Sequence, residues 1–90
     1  MYRVTVSCRG LSEAESSAAQ PDLLDEFADR PWHSSLSLSW QDGVLSVTAE
    51  NDFDSTGAAM LDEFWDAVHA CVNWKGPVQF RVESVVEIGS

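Results

Sequence analysis

The stretch Ser35-Leu36-Ser37-Leu38-Ser39-Trp40-Gln41-Asp42-Gly43-Val44-Leu45-Ser46-Val47-Thr48-Ala49 decides the fold. Apolar and polar residues alternate on both sides of Asp42-Gly43, the period of strands with one buried face. Asp-Gly suits a two-residue hairpin turn, because both central residues need positive φ. Counting outwards pairs Gln41 with Val44, Trp40 with Leu45, Leu38 with Val47 and Leu36 with Ala49, so apolar meets apolar. On the other face Ser39 meets Ser46 and Ser37 meets Thr48, a match that a one-residue slip would destroy.

Upstream, Tyr2, Val4, Val6 and Cys8 alternate with Arg3, Thr5 and Ser7, a half-buried strand that Gly10 ends. Ser12 to Gln20 is small and polar. Ser12 and Glu15 have the spacing of a capping box, but no apolar run follows, which predicts loop or a weak helical turn. A helix is expected from Pro21, with Leu23, Leu24 and Phe27 on one stripe and Pro31 as its stop. Downstream, from Ser55 to Asn73, Leu61, Phe64, Trp65, Val68, Cys71 and Val72 follow a helical period, and Lys75-Gly76-Pro77 is expected to close the helix. Val78, Phe80 and Val82 then alternate with Gln79, Arg81 and Glu83, in a strand continuing through Val86 and Ile88.

Two strand–helix–strand units around a central hairpin predict an α+β, ferredoxin-like β-α-β-β-α-β two-layer sandwich, a four-stranded antiparallel sheet with two helices on one face. Ninety residues fit a single domain over 1–90. That topology hosts many unrelated functions and licenses none.

Fifteen acidic residues against five basic give a net charge of -10. Such a chain repels phosphate backbones and anionic membrane surfaces, so neither nucleic acid nor membrane is an expected partner. The charge favours solubility and long-range steering towards a basic protein. No segment approaches the ~20 apolar residues that cross a bilayer. Cys8 and Cys71 lack metal-binding or redox spacing and sit at apolar positions, so reduced thiols and a cytoplasmic location are expected, with a Cys8–Cys71 disulfide left open.

Asp52-Phe53-Asp54-Ser55-Thr56-Gly57, with Glu63 eleven residues after Asp52, resembles a calcium-binding EF-hand loop. Asp52, Asp54, Thr56 and Glu63 would be the ligands. Against it, Thr56 replaces an acidic or amide ligand, Ala59 a larger apolar residue, and a strand precedes the loop instead of a helix. The alternative is that Asp54 or Ser55 caps the second helix. A Cys–His nucleophile would need Cys8 or Cys71 exposed beside His33 or His69, whereas both cysteines fall in core patterns. Asp25-Glu26 and Asp62-Glu63 diverge as helix neighbours and read as solvated faces. No enzyme activity and no cofactor is expected from these residues.

The outward sheet residues Thr5, Ser7, Ser46 and Thr48, beside Arg3 and Arg81, carry no aromatic ring on which a base could stack. Trp32 and Trp74, each near a helix end and a proline, combine with Asp62, Glu63 and Asp66 as candidate partner-binding residues. The expectation is therefore a non-enzymatic protein-interaction module, inhibitor- or immunity-like, binding a basic partner as a monomer or homodimer. Two alternatives remain: a small-ligand regulatory domain acting as a dimer, with Cys8-Arg9-Gly10-Leu11 as its ligand turn, and a calcium-binding protein using Asp52 to Glu63.

Overall fold

The computed structural model describes residues 1–89. Six elements follow in the expected order: β1 (Tyr2–Arg9), α1 (Glu13–Ala28), β2 (Ser34–Gln41), β3 (Val44–Asn51), α2 (Ala58–Cys71) and β4 (Gln79–Glu87). The strands form one antiparallel sheet in the order β2-β3-β1-β4. This is the ferredoxin-like arrangement, with the core between the sheet and the helices. Val4, Val6 and Cys8 of β1 and Leu45, Val47 and Ala49 of β3 meet Leu23 and Phe27 of α1 and Met60, Phe64 and Val68 of α2, all buried.

The hairpin register holds from Gln41↔Val44 through Ser37↔Thr48. Asp42 and Gly43 both adopt the left-handed region, at φ 54° and 76°. The expected Leu36–Ala49 pair does not form. The register shifts between Ser34 and Ser37, so that Ser34 faces Glu50, and Ser35 is left-handed at φ 52°.

Helix α1 starts eight residues before the expected Pro21. The Ser12 hydroxyl accepts the Glu15 amide at 3.0 Å and the Glu15 carboxylate accepts the Ser12 amide at 2.8 Å, so the capping box is complete. No large apolar residue marks this first half because its buried face is made of Ser16 and Ala19, before Leu23 and Phe27 continue it. Pro21 lies inside the helix on its exposed side, where water can satisfy the carbonyl that its missing N–H leaves free.

Helix α2 begins at Ala58, after Gly57 at φ 82°. A side chain there would fall 2.7 Å from a Val82 methyl group, so both conformation and space demand glycine. Trp65, expected in the buried stripe, is 47% exposed. The buried face runs through Met60, Phe64, Ala67 and Val68, which rotates Trp65 to its margin, where it stacks on His69 with centroids 3.6 Å apart.

In β4 a bulge interrupts the alternation: Val6 faces Val82 and Thr5 faces Ser84, which leaves Glu83 as the extra residue. The phase therefore changes, and Val85 packs against the core while Val86 is exposed. Glu83 turns onto the open sheet face, where it accepts from the Ser7 hydroxyl and, at 2.8 Å, from Arg9. These two hydrogen bonds hold its carboxyl below the usual carboxylate range. Arg3 pairs with Glu50 on the same face, and Thr5 bonds Thr48 across β1 and β3.

Candidate functional site

The densest constellation of polar side chains lies where α1 ends and α2 begins. Glu63, on the first turns of α2, reaches back to the segment between α1 and β2. Its Oε1 accepts the Trp32 indole N–H at 3.0 Å and lies 3.5 Å from Arg30 Nε, while its Oε2 meets His33 Nε2 at 2.6 Å. The His33 side chain is 1% exposed. Asn51, buried at the end of β3, approaches His33 Nδ1 through Nδ2 at 3.4 Å.

The orientation of Asn51 assigns the histidine tautomer. Its Oδ1 accepts the amides of Phe53 and Asp54 at 3.2 and 2.8 Å, so its NH2 group must face His33. His33 Nδ1 then accepts and Nε2 carries the proton, donating to Glu63. Both ring nitrogens are thereby engaged. The network positions neighbouring groups and leaves neither nitrogen free for a substrate.

Two large aromatic side chains flank this histidine. Trp32 lies with its ring centroid 6.0 Å from His33 and is 49% exposed; Phe53 lies at 6.2 Å and is 50% exposed. Buried Phe27 closes the inner side at 6.0 Å, with the Arg30 guanidinium 5.5 Å above its ring. Trp32 is fixed through its indole nitrogen and Phe53 through its backbone amide. The result is a pair of half-exposed rings around His33, one tied by its indole nitrogen and the other carried on a bonded backbone, with Asp29, Asp52 and Asp62 exposed on the same connections and helix.

The partner-binding residues expected from sequence thus separate. Trp32 and Glu63 come together, and Asp62 and Asp66 are exposed on α2. Trp74 lies with the aromatic group at the far end of α2, edge-on to His69 with centroids 4.5 Å apart. Phe53 and Asn51 were not singled out from sequence. The legible signal was Asn51 itself, an amide residue ending a strand and able to hold the backbone two and three residues on.

The proposed calcium ligands do not converge. Asp54 is buried and accepts the α2 amides of Ala59 and Met60 at 3.3 and 2.9 Å, so it satisfies first-turn amides from three residues before the N-cap, Gly57. Glu63 is committed to His33 and Trp32, Thr56 accepts the Ala58 amide at 3.3 Å, and Asp52 is exposed. Among the described residues no group of three or more His, Cys, Asp or Glu side chains is arranged to hold a metal ion.

At the opposite end of the helix layer, a hollow of about 290 Å³ opens between the start of α1 and the end of α2, lined by Ala14, Glu15, Ala18, Cys71, Val72 and Asn73. Both cysteines are free. Burial pushes the Cys8 thiol up to about 11. Burial, and then the charges of Glu26, Asp22 and Asp25, push Cys71 up as well. Each thiol is therefore held protonated, the weakly nucleophilic form. The turn after β1 is filled by the chain itself, because the Pro77 carbonyl occupies the space that a side chain at Gly10 would need. Among the described residues no helix is long and apolar enough to cross a membrane.

No protein-family model, no curated protein and no solved structure matches this chain.

Proposed function

We propose that this protein is a protein-interaction module that docks a basic partner on the Trp32–Phe53 end of its helix layer. The observation that carries the reading is that two large aromatic side chains stand half exposed around a buried histidine, with Trp32 tied to Glu63 through its indole nitrogen. Ordering an exposed ring before contact removes part of the entropy cost of binding, and tryptophan is the residue most enriched among energetically dominant interface contacts.

Charge distribution supplies the sign of the partner. Helix α1 carries Glu13, Glu15, Asp22, Asp25 and Glu26, and α2 carries Asp62, Glu63 and Asp66, while neither carries a lysine or arginine. Three of the five basic residues, Arg3, Arg9 and Arg81, sit on the open sheet face beside Glu50 and Glu83. The charged side chains of the two helices themselves are all negative, with Arg30 and Lys75 at their margins, and an excess of one sign accelerates and orients the approach of a basic surface.

The test is capture from the native host's extract at low and high salt, with the wild-type protein and a Trp32→Ala/Phe53→Ala variant as baits. The expected result is one basic protein retained by the wild type at low salt, lost at high salt and lost by the variant. A variant that melts like the wild type and captures the same protein equally well would overturn the reading.

A further inference from the structure

The two histidines of the chain differ in setting: the His33 side chain is buried, whereas His69 is exposed on α2. The neutral His33 ring is matched to its surroundings on both sides, Nδ1 accepting from the Asn51 carboxamide and Nε2 donating to Glu63. A further proton can be added only at Nδ1, because Nε2 already carries one. Protonation therefore turns the Nδ1 acceptor into a donor, aimed at the Asn51 NH2 group 3.4 Å away.

Asn51 cannot resolve that conflict by rotating its carboxamide. Its Oδ1 accepts the backbone amides of Phe53 at 3.2 Å and Asp54 at 2.8 Å, so a flip presents NH2 to those two N–H groups instead. One side must let go, and the charged groups around His33 decide which. Glu63, from α2, lies 2.6 Å from Nε2, and charging the ring turns that contact into an ion pair, roughly twice as strong as a neutral hydrogen bond. Arg30, from the same α1–β2 connection, is the opposing cation, shared between Glu63 at 3.5 Å and Glu26 of α1 at 3.6 Å. On the β3–α2 connection the Asp54 carboxylate is committed to the α2 amides, and Asp52, like Asp29 after α1, is exposed. Glu50 of β3 pairs with Arg3 on the open sheet face. The charged ring is thus tethered more firmly to α2. Asn51 holds its two amides by neutral bonds, and Phe53 beyond them is half exposed.

We propose that protonation of His33 turns the Asn51 carboxamide and releases the turn that carries Phe53, so that the Trp32–Phe53 face is assembled only while His33 is neutral. The two rings respond differently. Trp32 keeps its bond to Glu63 Oε1, which the added proton does not touch, while Phe53 leaves its place beside the histidine. The consequence for docking rests on the partner reading above; the release itself does not.

The experiment is an NMR pH titration of the free, full-length chain. The His33 ring nitrogens report protonation, the Phe53 and Asp54 amide protons report their hydrogen bonds, and exposed His69 is the internal control. Both amides are expected to lose their hydrogen-bonded shifts at the His33 midpoint, together with the nuclear Overhauser contact between the Phe53 and His33 rings. Amides that stay unchanged while His33 becomes charged would overturn the inference. So would a His33 that stays neutral until the fold is lost. Asn51→Asp keeps one oxygen on both amides and offers the other to the charged Nδ1, so its amides should remain bonded while His33 is protonated. Release in that variant as well would overturn the role of the carboxamide; the wild-type titration stands even if the variant does not fold. Capture of a basic protein by the wild type should weaken about tenfold or more over the same interval, the loss expected of one dominant ring. Capture at neither pH would count against the partner reading alone, since the titration is made on the free chain.

Discussion

At one end of the helix layer Glu63, His33, Asn51 and Asp54 satisfy one another and the surrounding amides in a closed network. At the other end Ala14, Ala18 and Cys71 border a hollow of about 290 Å³. The first end is specified by directional bonds to particular atoms, the second by small residues that let α1 begin without a large contact. Directional bonding leaves little freedom to the groups it joins, and it is the bonded end that carries the two half-exposed rings. Small-residue packing leaves space that chemistry can still fill.

Substitutions at the two ends should differ in size and sign. Glu63→Ala strands the buried His33 N–H and releases Trp32 and Arg30, and it should cost about 2–3 kcal/mol in a denaturant melt. Asp54→Ala removes the acceptor for two α2 amides and should cost about 1–2 kcal/mol by the same measurement. Trp65→Ala, on the α2 side that leads to the open end, should cost no more than about 1.5 kcal/mol, against the ~3–5 kcal/mol of a fully buried aromatic. Ala18→Met, which fills part of the hollow with a flexible side chain, should raise stability by about 0.5–1 kcal/mol. A destabilised Ala18→Met protein with an unaffected Glu63→Ala protein would invert the contrast.

The smallest effect is one of pH. At the open end the backbone amide of Ser12 is the main influence lowering the Glu15 carboxyl below its usual range. A depressed carboxyl adds stability above the ordinary carboxylate range, and that contribution is lost as pH falls through the group's own lower value. Glu15→Gln should therefore lose less stability than the wild type over that acid interval, read as melting temperature against pH.

The element order, the hairpin register from Gln41 to Ser37 and the existence of α2 were legible because large apolar residues repeat there at a clear period. The first half of α1 was not, since Ser16 and Ala19 form its buried face and carry no hydrophobic signal. Trp65 misled for the opposite reason: a large aromatic at a helical spacing suits a margin as well as a core. The Glu83 bulge was invisible because Val85 and Val86 are adjacent, and either can continue an alternation. Within the site, Trp32 and Glu63 were singled out but not their union. Glu63 and the Trp32–His33 pair are far apart in sequence, and only the meeting of the α1–β2 connection with α2 joins them. Trp74 shared the composition of Trp32 and lies at the other end.

Strand β1 occupies the middle of the sheet, and its two neighbours come from distant parts of the chain: Tyr2 faces Asn51 on one side and Glu87 on the other. The β2–β3 hairpin needs only a two-residue closure and can form within microseconds. The β1–β4 seam must close almost the whole chain into a loop, which makes it the entropically slow step. During synthesis β1 leaves the ribosome before β3 and β4, and it finds β4 last. In that interval Val4-Thr5-Val6 is an apolar strand with one side unpaired, the kind of surface that is prone to misassembly.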